Sequence, residues 1–327
     1  MAIYNSLKNL PELKNSVLTI GTFDGVHLGH QKLFEILIES AKTTNSESVV
    51  FTFEPHPQHI IGKGHNPKKL LTGINKKTNL ISNFGIDHVI ILPFDLEFSK
   101  STAMSFLKNV ILKHFNPNTI VVGHDHHFGY KKEGDIHFLK SHQNNYGYEV
   151  IEVKANYYND KIISSTWIRE LIESHEIELV NSLLGRNFSI MGIVAKGSGR
   201  GRLLGFPTAN VEIQNPLIQT PQIGVYLVRV ISNDNIYFGV CNVGFRPTFD
   251  SQKRKVIEVH LFLSKPMNLY GMELKVEFIQ FIREEQKFES KEDLIDQIKI
   301  DKSVCQKILE DQDMEKKGDS FLYVNHE

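Results

Sequence analysis

Gly21-Thr22-Phe23-Asp24-Gly25-Val26-His27-Leu28-Gly29-His30 decides the reading of this chain, because it stands where an apolar run gives way to a helical pattern. Upstream, Ser16 to Ile20 reads as a short buried strand, and Gly21 and Gly25 supply a tight connection that tolerates positive φ. Downstream, from His30 to Ala41, the residues Leu33, Phe34, Leu37 and Ala41 recur at helical spacing. The two imidazoles would then lie side by side in the first helical turn. Free backbone N–H groups and the positive end of the helix dipole favour an anion there, and Gly29 keeps a side chain out of its way. Alone, the pattern is more simply read as two surface histidines at a helix start, so its surroundings must decide.

Outward to about Leu184, apolar runs at Val49 to Phe53, Val89 to Leu92, Ile120 to Val122 and Val150 to Val153 alternate with helix-like stretches such as Ala103 to Lys113. Such alternation predicts a parallel α/β sheet, whose ligands bind beyond the carboxyl ends of the strands. Three polar segments fall there: Phe53-Glu54-Pro55-His56-Pro57, Gly123 to Gly129, and Ser164-Ser165-Thr166. Beyond Leu184 the helical period fades. Runs at Ser189 to Ala195, Val225 to Val230, Tyr237 to Asn242, Val256 to Leu263 and Leu274 to Phe281 predict a small antiparallel barrel. Ser290 would then cap one or two closing helices, with Leu294, Ile295, Ile298, Val304 and Ile308 as core positions. The expected modules are 1–184 and 185–327.

The 327 residues suit two domains, and 37 basic against 38 acidic residues leave no net field to attract nucleic acid. The two cysteines, Cys241 and Cys305, cannot build a disulfide framework. Met1 to Lys14 lacks the apolar core of a signal peptide, and no segment approaches membrane-span length. A soluble, cytoplasmic protein is expected, monomeric or a weak homo-oligomer.

In the first module, Ser164, Ser165 and Thr166 precede a helical Trp167-Ile168-Arg169 and would offer hydroxyls and amides to phosphate oxygens, with Arg169 one turn on as a bidentate clamp. An ordinary helix cap with a solvated arginine is the plainer alternative. Phe53, Pro55, His56 and Pro57 form a stiff, partly aromatic edge suited to a flat ring, and a plain strand-terminating turn explains the two prolines equally well. On an extended strand His124 and His126 would face away from Asp125 and His127, which favours a substrate-lining loop over a metal site. In the second module, Gly197-Ser198-Gly199-Arg200-Gly201-Arg202 leads to Gly205-Phe206-Pro207-Thr208-Ala209-Asn210. It is not a Walker A loop, and it can wrap a polyphosphate or be a plain flexible basic loop; on an extended segment Thr208 and Asn210 point the same way, so both could reach one Mg²⁺ ion and its bound phosphate. Glu258 interrupts the apolar strand Val256 to Leu261, either as a solvent-facing residue or as a general base.

The paired elements around His27–His30 and Ser164–Arg169 resemble those of HxGH nucleotidyltransferases, which have a Rossmann-like sheet and transfer AMP from ATP. Over its whole length the chain resembles the bacterial bifunctional riboflavin kinase/FMN adenylyltransferase family, also called FAD synthetase. The match includes Leu184 to Arg186, Gly197 to Asn210, Pro221 to Tyr226, Asn242 to Phe249, Glu258 and Arg283 to Phe288. The resemblance implies that the first module makes FAD and pyrophosphate from FMN and ATP, and that the barrel with its C-terminal helix makes FMN from riboflavin and ATP. It implies catalytic roles for His27, His30 and Glu258. ATP would meet Gly21, Phe23, Gly25, Gly29, Ser164, Ser165, Thr166 and Arg169 in the first module. In the second it would meet Gly197, Gly199, Gly201, Arg202, Thr208 and Asn210, the last two with Mg²⁺. Phe53, Pro55, His56, Pro57, Asp125 and Phe128 would line the adenylyltransferase site, and Arg283 and Phe288 would lie near the kinase flavin. The family usually shows an aromatic residue and an arginine where this chain has His126 and His127, so either weaker phosphate binding or a pH-sensitive step is expected there.

Overall fold

In the computed structural model the first half is a parallel sheet of β1 (Ala2–Tyr4), β2 (Ser16–Ile20), β3 (Glu47–Glu54), β4 (His88–Pro93), β5 (Pro117–Gly123) and β6 (Glu149–Val153). The structure describes residues 1–62, 67–196, 201, 205–233, 235–246, 254–263 and 267–322, with side chains to 311 and not at Arg246 or Arg254. The spatial order is β1-β4-β3-β2-β5-β6. The short β1, absent from the sequence expectation, pairs with β4 at one edge, with Ile3 beside Val89.

Alternation along each strand divides the core into two layers. Leu18, Val49, Ile90 and Ile120 pack with Phe106, Leu107, Phe115 and Leu139, whereas Val17, Val50, Val89 and Val121 pack with Leu33, Phe34, Leu37 and Ile81. The second set comes from α1 (Leu28–Thr43) and α3 (Ile74–Ser82), with the short α2 (Pro57–Ile61) between them in sequence. On the opposite face, α4 (Ala103–Phe106) runs through a π-helical stretch, Leu107–Leu112, into α5 (Lys113–Phe115), and α6 (Ile136–Tyr146) follows. Helices on both faces leave the carboxyl edge of the sheet open, and the strand order reverses between β2 and β5, where a crevice forms.

A hairpin of β7 (Tyr157–Tyr158) and β8 (Lys161–Ile162) leads to α7 (Ser165–Glu173) and α8 (Ile177–Leu184). By contacts the described residues fall into two compact units, Met1–Arg169 with Leu183–Gly185 and Leu217–Gln219, and the remainder.

The second unit contains a closed antiparallel barrel of β9 (Phe188–Ala195), β10 (Ala209–Glu212), β11 (Gly224–Ser232), β12 (Asn235–Arg246), β13 (Arg254–Leu261) and β14 (Glu273–Arg283). The short β10 is the strand missing from the sequence reading, and it closes the barrel between β9 and β13. Tyr226, Val228, Cys241, Val243, Ile257 and Val259 are buried on the inner face. Val225, Leu227 and Val240 alternate with them and meet Cys305, Ile308 and Leu309 of the C-terminal helix, Lys291–Leu322. Ser290 caps that helix by accepting from the Asp293 N–H at 3.0 Å. Val304, expected in the core, is 41 % exposed, because the packed stripe passes instead through Asp301 and Cys305 at i,i+4 spacing.

Candidate active sites

A cavity of about 520 Å³ lies at the carboxyl edge of the sheet and gathers the segments that leave it. From the loop after β2 come Gly21, Phe23, His27, Gly29 and His30; from β3 and the turn after it, Phe53, His56 and Pro57; from the loop after β5, Asp125 and Phe128; and from the start of α7, Ser164, Ser165, Thr166 and Arg169. Gly25 and Pro55 do not line it. At Gly25, with φ +85°, an added Cβ would stand 2.7 Å from Leu71, so this glycine shapes the turn from behind.

The helix begins at Leu28, two residues earlier than its apolar period suggests, which makes His27 the N-cap and His30 a first-turn residue. Their rings stack with centroids 3.7 Å apart, and Phe23 meets His30 edge-on at 5.4 Å. A Cβ at Gly29 would stand 3.2 Å from the His27 ring and 3.7 Å from the Ile163 carbonyl oxygen, so glycine is what allows this stack. For the adenylyl transfer that the resemblance implies, Gly29→Ala should lower FAD formation from FMN by about tenfold, since a shift of a few tenths of an ångström would reach the histidine pair. Thermal stability should be unchanged or slightly higher, alanine being the better helix former. Parallel activity and melting measurements on the variant check this.

Arg169 departs from the sequence expectation. It is 7 % exposed, and its Nε donates to the Lys69 carbonyl at 2.6 Å, its Nη1 to the Ser165 carbonyl at 2.8 Å and its Nη2 to the Asp24 carboxylate. A guanidinium this deep must have acceptors, and the partner, Asp24, is brought to it only by the fold. The Asp24 carboxylate also accepts from the backbone N–H groups of Leu71, at 2.9 Å, and Thr72, at 3.1 Å, while the Ser165 hydroxyl donates to the Asp24 carbonyl at 2.8 Å. The arginine therefore ties the histidine loop to α7 and to the chain before α3. Ser164 caps α7, accepting from the Trp167 N–H at 3.2 Å. Lys68, which no motif indicated, lines the cavity and donates to the Thr166 hydroxyl at 3.3 Å; burial, then Arg169, push its pKa down.

His56 caps α2, its Nδ1 accepting from the Gln58 N–H at 3.2 Å, so the ring is neutral with its proton on Nε2. Burial pushes its pKa down to about 4, against the pull of Asp24. The residues after β5 form a turn and not an extended strand, with the His126 N–H donating to the Gly123 carbonyl at 3.1 Å. His126 stacks on Phe128 at 5.6 Å, and burial pushes it down to about 4. The expected switch near neutral pH therefore does not reside in His126. Among the described residues, no cluster of three His, Cys, Asp or Glu side chains could hold a metal ion.

In the barrel, register assembles what the sequence left scattered. Asn210 pairs with Glu258, Glu258 with Asn242, Asn242 with Val225, and Val225 with Arg283. Paired residues on neighbouring antiparallel strands point to one face, so Asn210, Glu258, Asn242 and Arg283 form a row across the outer face. Asn210 is 9 % exposed, and its Oδ1 has no hydrogen-bond partner among the described residues. Thr208 stands two residues before it, and a Cβ at Gly201 would come within 3.0 Å of the Thr208 hydroxyl. A buried amide oxygen on the strand paired with that of Glu258, two residues after the Thr208 hydroxyl, belongs to side chains of the hard-oxygen kind that fit Mg²⁺. Gly197, Gly199 and Arg202 lie outside the described residues. Arg283 is held by Asp301 of the C-terminal helix through two bonds of 2.8 Å, with its guanidinium carbon 6.0 Å from the Phe288 ring centroid. Burial and the nearby Glu258 charge together push the Cys241 thiol upward, so it is not a thiolate nucleophile.

Fold and sites together define a class: a nucleotidyltransferase-type parallel sheet with a histidine pair at a helix start, followed by a flavokinase-type barrel. The FAD synthetase family matches residues 9–167, and the riboflavin kinase family matches residues 184–309. The bifunctional riboflavin kinase/FMN adenylyltransferase of Buchnera aphidicola subsp. Schizaphis graminum is 39% identical over 94% of this chain and 98% of its own length. That of Escherichia coli K12 is 36% identical over 92% and 96%. A crystal structure from Streptococcus pneumoniae, described as a macrolide-efflux protein, superposes with a TM-score of 0.85 at 30% identity, over 93% of this chain and 98% of that one. The chain belongs to the bifunctional riboflavin kinase/FMN adenylyltransferase family.

Proposed function

We propose that the two steps of FAD synthesis are divided between modules 1–184 and 185–327. The chain phosphorylates riboflavin with ATP, giving FMN and ADP, and adenylylates FMN with a second ATP, giving FAD and pyrophosphate. The observation that carries the division is the cross-strand pair Asn210–Glu258, which sets a carboxylate on the strand next to a buried amide oxygen that has no partner among the described residues.

The kinase step starts from a neutral hydroxyl. Glu258 accepts its proton as the oxygen attacks the γ-phosphate of ATP. Thr208 and Asn210 would hold Mg²⁺, whose charge offsets that of the phosphates. Gly197, Gly199, Gly201 and Arg202 wrap the polyphosphate. The flavin lies toward Phe288 and Arg283, with Asp301 fixing the guanidinium.

The adenylyl step starts from an anion, the phosphate of FMN, and needs no strong base. It needs two anionic groups brought together and charge stabilised on the α-phosphate and the departing pyrophosphate. His27 and His30 donate to the α-phosphate at the positive end of α1. Gly21, Phe23, Gly25 and Gly29 shape the turn that carries the pair. Ser164, Ser165, Thr166 and Lys68 meet the other phosphates, and Arg169 acts from behind them by holding Asp24. Phe53, His56, Pro57, Asp125 and Phe128 form the flavin edge.

No helix among the described residues is long and apolar enough to cross a membrane. We place the chain in the cytoplasm, as a monomer or weak homo-oligomer whose partners are riboflavin, FMN, FAD and ATP, not nucleic acid. Incubation with riboflavin, ATP and Mg²⁺, followed by chromatography of the flavins, tests the reading. FAD is expected; FMN alone would confine the activity to the barrel, and unchanged riboflavin would overturn the kinase assignment.

A further inference from the structure

Lys77 on α3 is 4 % exposed and does not line the cavity. Its Nζ donates to the Thr22 carbonyl at 2.9 Å and to the Thr52 hydroxyl at 3.0 Å, and that hydroxyl donates to the same carbonyl at 3.3 Å. Removing an ammonium from water is unfavourable unless fixed oxygens replace its hydration, and here those oxygens belong to the turn that precedes the histidines.

That turn is strained. Phe23 and Val26 have φ of +47° and +42°, left-handed values that an aromatic and a β-branched residue keep only when their surroundings hold them. The carbonyl that Lys77 grips belongs to the Thr22–Phe23 peptide, whose plane sets φ of Phe23. Phe23 in turn meets the His30 ring, and His30 stacks on His27. One line of contacts therefore runs from the Lys77 ammonium to both imidazoles.

We propose that Lys77 is a positioning residue for adenylyl transfer: its ammonium holds the Thr22–Phe23 peptide in the conformation that presents His30, and through it His27, to the cavity. This rests on the reading of the first module given above. The charged groups around it are Glu54 at the end of β3 and Asp24 after β2, which favour the ammonium; His56 at the cap of α2 feels the lysine's charge in return. Burial outweighs the two carboxylates and brings the lysine down to about 8. The protonated form is the one that grips, so the hold weakens as pH rises past that value, and FAD formation falls on the alkaline side.

The test uses the full chain, wild type, Lys77→Arg and Lys77→Met, with FMN-to-FAD and riboflavin-to-FMN conversion measured separately across pH. Lys77→Met should lower kcat for FAD formation by at least about tenfold at neutral pH, with KM for ATP and FMN changed by less than about threefold. Riboflavin phosphorylation in the same preparation should be unchanged. Lys77→Arg keeps a cation that does not titrate in this range, so it should retain most activity and move the alkaline fall upward by at least about one pH unit. A Lys77→Arg profile with the fall where the wild type has it overturns the proposal, whether or not Lys77→Met folds; so does a Lys77→Met variant with wild-type kcat. A wild-type chain that makes no FAD from supplied FMN overturns the reading of the module itself, which that control separates from the role of Lys77.

Discussion

Glu258→Ala should all but stop FMN formation while supplied FMN is still converted to FAD. The loss expected from removing a general base is about 10²–10⁴ in kcat. Glu258→Gln should lose nearly as much, because it keeps the shape of the side chain and removes only the capacity to accept a proton. KM for riboflavin should move little, since the proton transfer belongs to the transition state. The barrel should remain folded: Glu258 alternates with the buried Ile257 and Val259 and lies on the outer face, so no core side chain is lost. Separate assays with riboflavin and with FMN read the outcome, and an equal loss of both steps would contradict the division between modules.

The mirror result is expected for the histidines. His27→Ala with His30→Ala should lower FAD formation from FMN by about 10³-fold or more, the scale of removing preorganised donors from a developing charge. Riboflavin should still become FMN, which then accumulates. The two single variants should each lose nearly as much as the double, because the rings stack at 3.7 Å and removing one leaves the other without its support. Strict additivity of the two losses would show that each ring acts independently and that the stack is incidental. Flavin chromatography over a time course distinguishes these cases.

Much of the fold was legible because its signals are local. The buried run Ser16–Ile20, the helical period of Leu33, Phe34, Leu37 and Ala41, and the cap at Ser290 all act between near neighbours, and the structure contains each. Elements that owe their existence to a distant partner were not legible. The strands β1 and β10 are only three and four residues long and carry no period of their own. They form because β4, in one case, and β9 with β13, in the other, present backbone groups that must be paired. Val304 was misplaced for a related reason: hydrophobicity alone suggested the inner stripe, whereas the buried Asp301 that meets Arg283 belongs to it.

The cavity segments after β2, β3 and β5 and at the start of α7 are legible in the sequence, whereas those after β4, with Phe94 and Phe98, and after β6, with Lys154 and Asn156, and the behaviour of single charges are not. Arg169 reads as a phosphate clamp or a solvated arginine until Asp24 is seen to take it, and Lys77 stands in no motif at all. The sequence by itself determined the succession of a parallel α/β sheet and an antiparallel barrel, and which glycine-rich loops lie between their elements, because glycine freedom, helix starts and strand periods are properties of neighbouring residues. Only the tertiary structure decided which charges face the cavity and which are held inside, and which strand sets Asn210 beside Glu258. A buried charge takes its role from the groups that replace its water, and those come from wherever the fold brings them.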